Sequence, residues 1–196
     1  MSAINLDALT ASVLSGDPLP LENLARSIGA DRPRVLFDPP ETAIASDRLR
    51  SLYRHWTGMP RGPRLPLTRA IDGTALGPAL GIVMLLEPLA NPFEFRYRLY
   101  GSEIAAVSSL EMTGRTTAAI PSPEMRAFFQ ATYAAAMRSG RPLLSFHQPP
   151  PEIGIISWCR LILPCEDGSA GVDRLLVGNE PAMPSLVRRR PWPPDV

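Results

Sequence analysis

Aromatic and basic side chains between residues 97 and 160 are of the types that suit small-molecule binding. Tyrosine and tryptophan supply an apolar wall with a polar tip, while histidine and arginine supply hydrogen-bond donors, a mixture typical of ligand sites. Arg115 also lies in a turn before a long predicted helix, where it could anchor an anion. The alternative is that Tyr133 and Met137 are core residues and that Arg160 lies on a solvated strand face. The candidate ligand-binding residues are Tyr97, Arg115, Tyr133, His147, Trp158 and Arg160.

Motifs for other chemistry are missing from the sequence, which contains no Gly-x-Ser-x-Gly, no His-Glu-x-x-His and no phosphate-binding Gly-x-x-x-x-Gly-Lys. Cys159 and Cys165 lie six residues apart on a predicted strand, about 20 Å if extended, which is too far for a disulfide. A metal site built from these cysteines with His55 and His147 would lack the short paired spacings of structural zinc. We therefore expect no catalytic residues and no metal.

Hydrophobic periodicity predicts a sheet and one long helix. The run at 81–87 and the alternating segment 94–100 predict an antiparallel hairpin, with Phe95, Tyr97 and Leu99 on its buried face. Apolar residues at helical spacing predict a helix over 123–139, ended by Gly140. Further strands are predicted at 143–147, 154–163 and 173–179.

The first part of the chain predicts three short amphipathic helices, at 5–15, 20–29 and 46–57, with an irregular connector at 31–40. Helices this short are marginal in water unless they dock on another surface. We expect their apolar faces to pack on the domain, on a partner protein or on a second copy of the chain. The candidate interaction residues are Leu6, Leu9, Val13, Leu49, Leu52 and Trp56.

Several short motifs follow one another in a particular order and spacing over residues 47–180. They are Tyr53 with Trp56, Leu65-Pro66, Ile71-Asp72, Arg98-Leu99-Tyr100-Gly101 with Ile104, Thr113-Gly114-Arg115, Gly140-Arg141-Pro142, Leu161 to Pro164, and Asp167-Gly168. Taken together, these motifs resemble a one-domain PAS-like family of alphaproteobacteria. The chain departs from that family by placing Arg54 and His55 between Tyr53 and Trp56. The resemblance implies an α+β fold with a five-stranded antiparallel sheet, helices on one face and a cavity between them.

The resemblance implies a sensory or protein-interaction module in bacterial signal transduction, which binds a ligand or partner without catalysis. The expected organisation is an N-terminal helical extension (1–46), a PAS-like sensory domain (47–180) and a flexible tail (181–196). We expect no cofactor, because PAS haem sensors usually take a histidine from the long helix and PAS flavin photosensors need a cysteine before it, and neither is present. The alternatives are a structural adaptor or homodimerisation protein with a filled core and, less favoured, a small-molecule enzyme.

Composition restricts the partners. A net charge of +1 gives no strong electrostatic field that would attract nucleic acid or an anionic membrane. No apolar run approaches 18 residues and no leader is apparent at the N-terminus, so we expect a cytoplasmic location. The expected partners are an unidentified signalling protein, a small-molecule ligand and a second copy of the chain.

Overall fold

The computed structural model describes residues 4–90, 93–150, 154–168 and 171–182. Its centre is an open, fully antiparallel sheet of six strands in the order β1-β4-β5-β6-β2-β3. The predicted hairpin is confirmed, because β2 and β3 pair antiparallel. The strands are β1 (Asp31–Phe37), β2 (Val83–Leu89), β3 (Glu94–Tyr100), β4 (Leu143–Gln148), β5 (Ser157–Cys165) and β6 (Arg174–Ala182).

The described residues also form six α-helices and several short 3-10 turns. The long helix is confirmed, with Ser122 capping its first turn by accepting a hydrogen bond from Met125 N (3.1 Å) and Gly140 ending it in a left-handed conformation. The helices are α1 (Leu6–Ser15), α2 (Leu19–Ser27), α3 (Asp47–Gly58), α4 (Gly73–Leu76), α5 (Ser102–Ser108) and α6 (Pro123–Ser139).

The sixth strand, β1, corrects the prediction of a five-stranded sheet and of an irregular connector at 31–40. It pairs antiparallel with β4, with Val35 opposite Ser145 and Phe37 opposite Leu143. Pro33 is tolerated because β1 lies at the edge of the sheet, where one side of the strand needs no ladder hydrogen bonds. The register shifts between Asp31 and Arg34, so the strand's start does not follow a regular alternation.

Helices lie on both faces of the sheet, which corrects the expectation of helices on one face. Successive strand residues point to opposite faces, so Gly178 faces away from its neighbour Asn179. A Cβ at Gly178 would meet the side chains of Leu49 and Leu52 of α3. Trp56, also in α3, donates from Nε1 to the carbonyl oxygen of Pro164 at 2.9 Å. Helix α3 therefore covers the face opposite to Asn179.

The candidate interaction residues pack inside the chain. Leu9 and Val13 of α1 are buried and Leu6 is partly buried against the core, where α1 packs on α6 and Arg138 pairs with Asp7 at 2.6 Å. The three candidates in α3 are buried as well. Their apolar faces are thus already covered and would reach a partner only after undocking. The predicted tail begins with Pro181 and Ala182 at the end of β6, and the rest of it lies outside the described residues.

Gly101, which joins β3 to α5, lies where two stretches of backbone come closest together. A Cβ at this position would lie 2.7 Å from the carbonyl carbon of Gly81 and 3.0 Å from Val83 N. Backbone cannot rotate away as a flexible side chain can, so this position needs glycine. The glycine of the Arg98-Leu99-Tyr100-Gly101 motif thus has a structural cause.

We expect Gly101→Ala to lower the free energy of unfolding by about 3 kcal/mol through overpacking. The matched control is Gly58→Ala, because a Cβ at Gly58 would meet nothing within 4 Å. Alanine should there be neutral or stabilising by up to about 1 kcal/mol. Urea unfolding measures both variants, and equal stabilities would show that the close approach at Gly101 is wrong.

Candidate functional site

A cavity of about 340 Å³ lies between the sheet and α6. Side chains of five strands form its floor, and Met125, Phe129 and Tyr133 of α6 form its roof. The cavity is also lined by residues of α5, of the segment after it and of the segment that follows β4. This volume falls at the lower end of the range for small-molecule sites. The cavity lies on the sheet face that bears Asn179, opposite to α3.

Five of the six candidate ligand-binding residues line this cavity: Tyr97, Tyr133, His147, Trp158 and Arg160. Strand pairing explains the convergence, because His147 lies opposite Trp158, and Arg160 lies opposite Asn179. Cross-strand partners share a face, as do residues two apart in one strand.

Arg115 does not line the cavity, so its role as an anion anchor in the turn before α6 stays a prediction. Its side chain is exposed, and its carbonyl oxygen accepts a hydrogen bond from Tyr97 N at 2.9 Å. The residue therefore holds its loop against the edge strand β3 through its backbone. Met137 is partly buried against the core and does not line the cavity either.

Arg160 is a buried cation, and no anionic side chain of the described residues pairs with it. The residue is only 3% exposed, and its Nε and Nη1 atoms have no hydrogen-bond partner. Its guanidinium carbon lies 4.0 Å from the ring centroid of Phe129 and 5.7 Å from that of Tyr133. Glu180 cannot neutralise it, because that carboxylate pairs with Arg48 of α3 at 3.0 Å. Burial of this positive charge is unfavourable, and the contacts with the two aromatic rings offset part of that cost.

Other polar atoms around the cavity also lack partners. They include Nδ1 of His147 and Oδ1 of Asn179, both on residues that are less than 5% exposed. The hydroxyl of Tyr133 is near enough to that of Tyr97 to affect its ionisation, but no hydrogen bond of good geometry forms at Tyr133. Buried polar atoms are nearly always hydrogen-bonded in folded proteins. Of the nine buried side-chain atoms without a partner found among the described residues, five belong to side chains that line this cavity.

Burial favours the neutral forms of His147, Tyr97 and Tyr100. Desolvation, together with the charge of Arg160, lowers the pKa of His147 to about 3. Desolvation and the neighbouring Tyr133 raise the pKa of Tyr97 well above its usual value, and burial raises that of Tyr100. Arginine stays protonated at all accessible pH values. Arg160 is therefore the charged group among the described side chains that line the cavity.

Sequence reasoning missed three of the cavity's main residues. Strict alternation along β3 would put Tyr100 on the face opposite to Tyr97, but the β2–β3 register shifts and the ring of Tyr100 packs edge-on against Tyr97 at 5.3 Å. Asn179 carried a usable signal, since it is a polar residue inside an apolar strand. Phe129 is one of the apolar residues at helical spacing in α6, and only the fold shows that Arg160 stacks on it.

The cysteines lie outside the site. Both are free cysteines. Burial raises the pKa of Cys159 to about 12, so its thiol stays protonated at neutral pH. Within the described ranges, no three His, Cys, Asp or Glu side chains form a group that could hold a metal ion, and no helix there is long and apolar enough to cross a membrane.

We expect His147 to make the protein less stable in mild acid. Its folded pKa lies below its unfolded value, so below about pH 6.5 the unfolded chain binds a proton that the folded chain excludes. From pH 7.0 to 5.0 this should lower the free energy of unfolding by about 2 kcal/mol. Urea unfolding at both pH values measures this fall. The free energy of unfolding of His147→Gln should not show it, whereas that of His55→Gln should. The same loss in both variants would contradict a neutral, buried His147.

We expect Arg160→Met to stabilise the ligand-free protein. The substitution removes a buried, unpaired charge, which costs several kcal/mol, and also removes stacking worth about 2 kcal/mol. The net gain should be about 1–3 kcal/mol in the free energy of unfolding at pH 7. A loss of stability in urea unfolding would mean that Arg160 holds the fold together.

Comparison of the chain with protein-family models, with curated proteins and with solved structures finds no match. The likeness to the PAS family therefore rests on the motifs quoted above. The assignment of a function rests on the cavity and on the groups that line it.

Proposed function

We propose that the chain is a PAS-like sensory module of bacterial signal transduction, which receives a small molecule in its cavity and passes the signal on by contact. The observation that carries this proposal is the space of about 340 Å³ inside the core, lined by buried polar groups without partners. A folded protein gains stability by filling such space and pairing such groups. A ligand that fills the space and pairs with the polar groups would explain why the protein keeps both.

The architecture supports the PAS resemblance. Without β1, the sheet consists of five antiparallel strands crossed by one long helix, and a cavity lies between them. The additional strand β1 and the position of α3 on the opposite face are features beyond that common core. Fold likeness alone does not define a function, so the proposal depends on the site.

The site favours binding over the two alternatives. A filled core would suit an adaptor, but this core leaves an open cavity. An enzyme would need an acid or base with a pKa near the working pH. His147 is too weak a base, with a pKa of about 3, and burial makes Tyr97 harder to ionise. These shifts hold the side chains in their neutral forms, which suits recognition.

Helix α6 is the proposed route of the signal. One side of it lines the cavity through Phe129 and Tyr133, while α1 packs against the same helix. The ion pair between Arg138 and Asp7 joins the last turn of α6 to the first turn of α1. A ligand that moves α6 would therefore alter the docking of α1, and with it the surface offered to a signalling partner.

We expect Met125→Trp to block ligand binding by filling the cavity. The matched control is Met137→Trp, because both methionines are half-buried on α6 but only Met125 lines the cavity. In native mass spectrometry of protein purified from an alphaproteobacterial host, the wild type and the control should carry an added small mass. Occupancy in Met125→Trp should fall at least fivefold.

Two outcomes would count against ligand reception. One is a wild-type protein that carries only its polypeptide mass. The other is equal occupancy in the two tryptophan variants, which would place the bound molecule outside the cavity. Urea unfolding of both variants shows whether either substitution has disrupted the fold.

A further inference from the structure

We infer that the cavity recognises a small organic acid with one carboxylate and an aromatic or other apolar body, and that Arg160 binds the carboxylate. This inference rests on the proposed function and specifies its ligand class. It follows from three properties of the site: the unpaired charge, the neutrality of the groups around it and the character of the walls.

The first property is the charge of Arg160. Only 3% of the Arg160 residue is exposed to solvent, and two of its three side-chain nitrogens, Nε and Nη1, have no hydrogen-bond partner. A neutral ligand would bury this cation further without neutralising it. An anion would supply both the missing charge and the missing acceptors, because one carboxylate can accept two N–H groups of a guanidinium.

The second property, the neutrality of the groups around Arg160, decides between a carboxylate and a phosphate. A phosphate monoester carries about −1.5 to −2 charges at neutral pH and needs more than one cation to balance it. Arg160 supplies one positive charge, and His147 stays neutral because its pKa lies at about 3. A single negative charge is therefore the match, and a monocarboxylate has it.

The third property is the wall. Tyr97, Tyr100, Phe129 and Trp158 line the cavity with aromatic surface, and Met84 and Ile104 add aliphatic surface. Phe129 stacks on the guanidinium itself and so holds the charged group against a ring. The volume of about 340 Å³ suits a single- or double-ring acid or a short-chain acid better than a nucleotide-sized molecule.

Asn179 adds a point of discrimination. It lies opposite Arg160 across the β5–β6 pairing, and its Oδ1 atom is buried without a donor. An acid that also carries a hydroxyl or N–H group would supply that donor beside its carboxylate. Hydroxylated or nitrogen-bearing aromatic acids should therefore bind more tightly than unsubstituted ones.

The test pairs each acid with its uncharged amide of nearly equal shape. The probes are benzoate and benzamide, 4-hydroxybenzoate and its amide, indole-3-acetate and its amide, and phenyl phosphate. Titration calorimetry of the full chain at pH 7.5 should show at least one acid binding at least tenfold tighter than its amide. Arg160→Met should remove that preference.

Arg115→Met is the matched control, since Arg115 is an exposed arginine outside the cavity. Acid affinity in this variant should stay within twofold of the wild type. Methionine is uncharged and similar in length to the apolar stem of arginine. The thermal unfolding transition of Arg160→Met shows whether the variant is folded, and so distinguishes a loss of binding from a loss of folding.

Three outcomes overturn the inference. Amides that bind as tightly as their acids would show that charge is not recognised, and ligand reception as such would stand. Phenyl phosphate binding tighter than every acid would replace the carboxylate with a phosphate. Binding by no probe, combined with native mass spectra free of any added mass, would remove the proposed function as well.

Discussion

The pairing of β5 with β6 is the contact on which the arrangement of the whole site depends. These strands pair along nine residues, from Ser157 with Ala182 to Cys165 with Arg174. That register places Gly178 beneath α3 and turns Asn179 and Arg160 towards α6. A slip by one residue would exchange the two faces. It would drive polar side chains under α3 and close the cavity with apolar ones, so the hydrophobic packing on both faces fixes where the cation lies.

Much of this arrangement could be predicted from local patterns. The spacing of apolar residues predicts α6 and the β2–β3 hairpin, and residue type places Tyr97, His147, Trp158 and Arg160 among the candidates. Tyr133 followed from the buried face of the helix. What the pattern could not supply was whether Arg160 faced solvent or the core. Arg160 faces the core because α6 covers the side of the sheet on which it lies, and that packing is a long-range contact.

The failures also have physical causes. Strand β1 contains Asp and Pro, which have low strand propensity, and it forms because β4 offers an unpaired edge. Arg115 follows Gly114 in a tight turn, and nothing in the sequence shows that this turn folds against β3 with its side chain outward. Helix α3 is amphipathic, but amphipathicity does not say which face of a sheet the helix covers.

Stability and recognition oppose each other in this core. The aromatic rings around Arg160 favour the cation but do not neutralise it, and the burial that makes the charge costly also strengthens its attraction for an anion. The same low-dielectric surroundings keep His147 and Tyr97 neutral, so they do not compete with Arg160 for a negative charge. Occupation of the cavity would relieve that cost and reinforce the contact between α6 and the sheet. Since α1 packs on the same helix, the free energy of such binding would have a direct physical path to the surface of the protein.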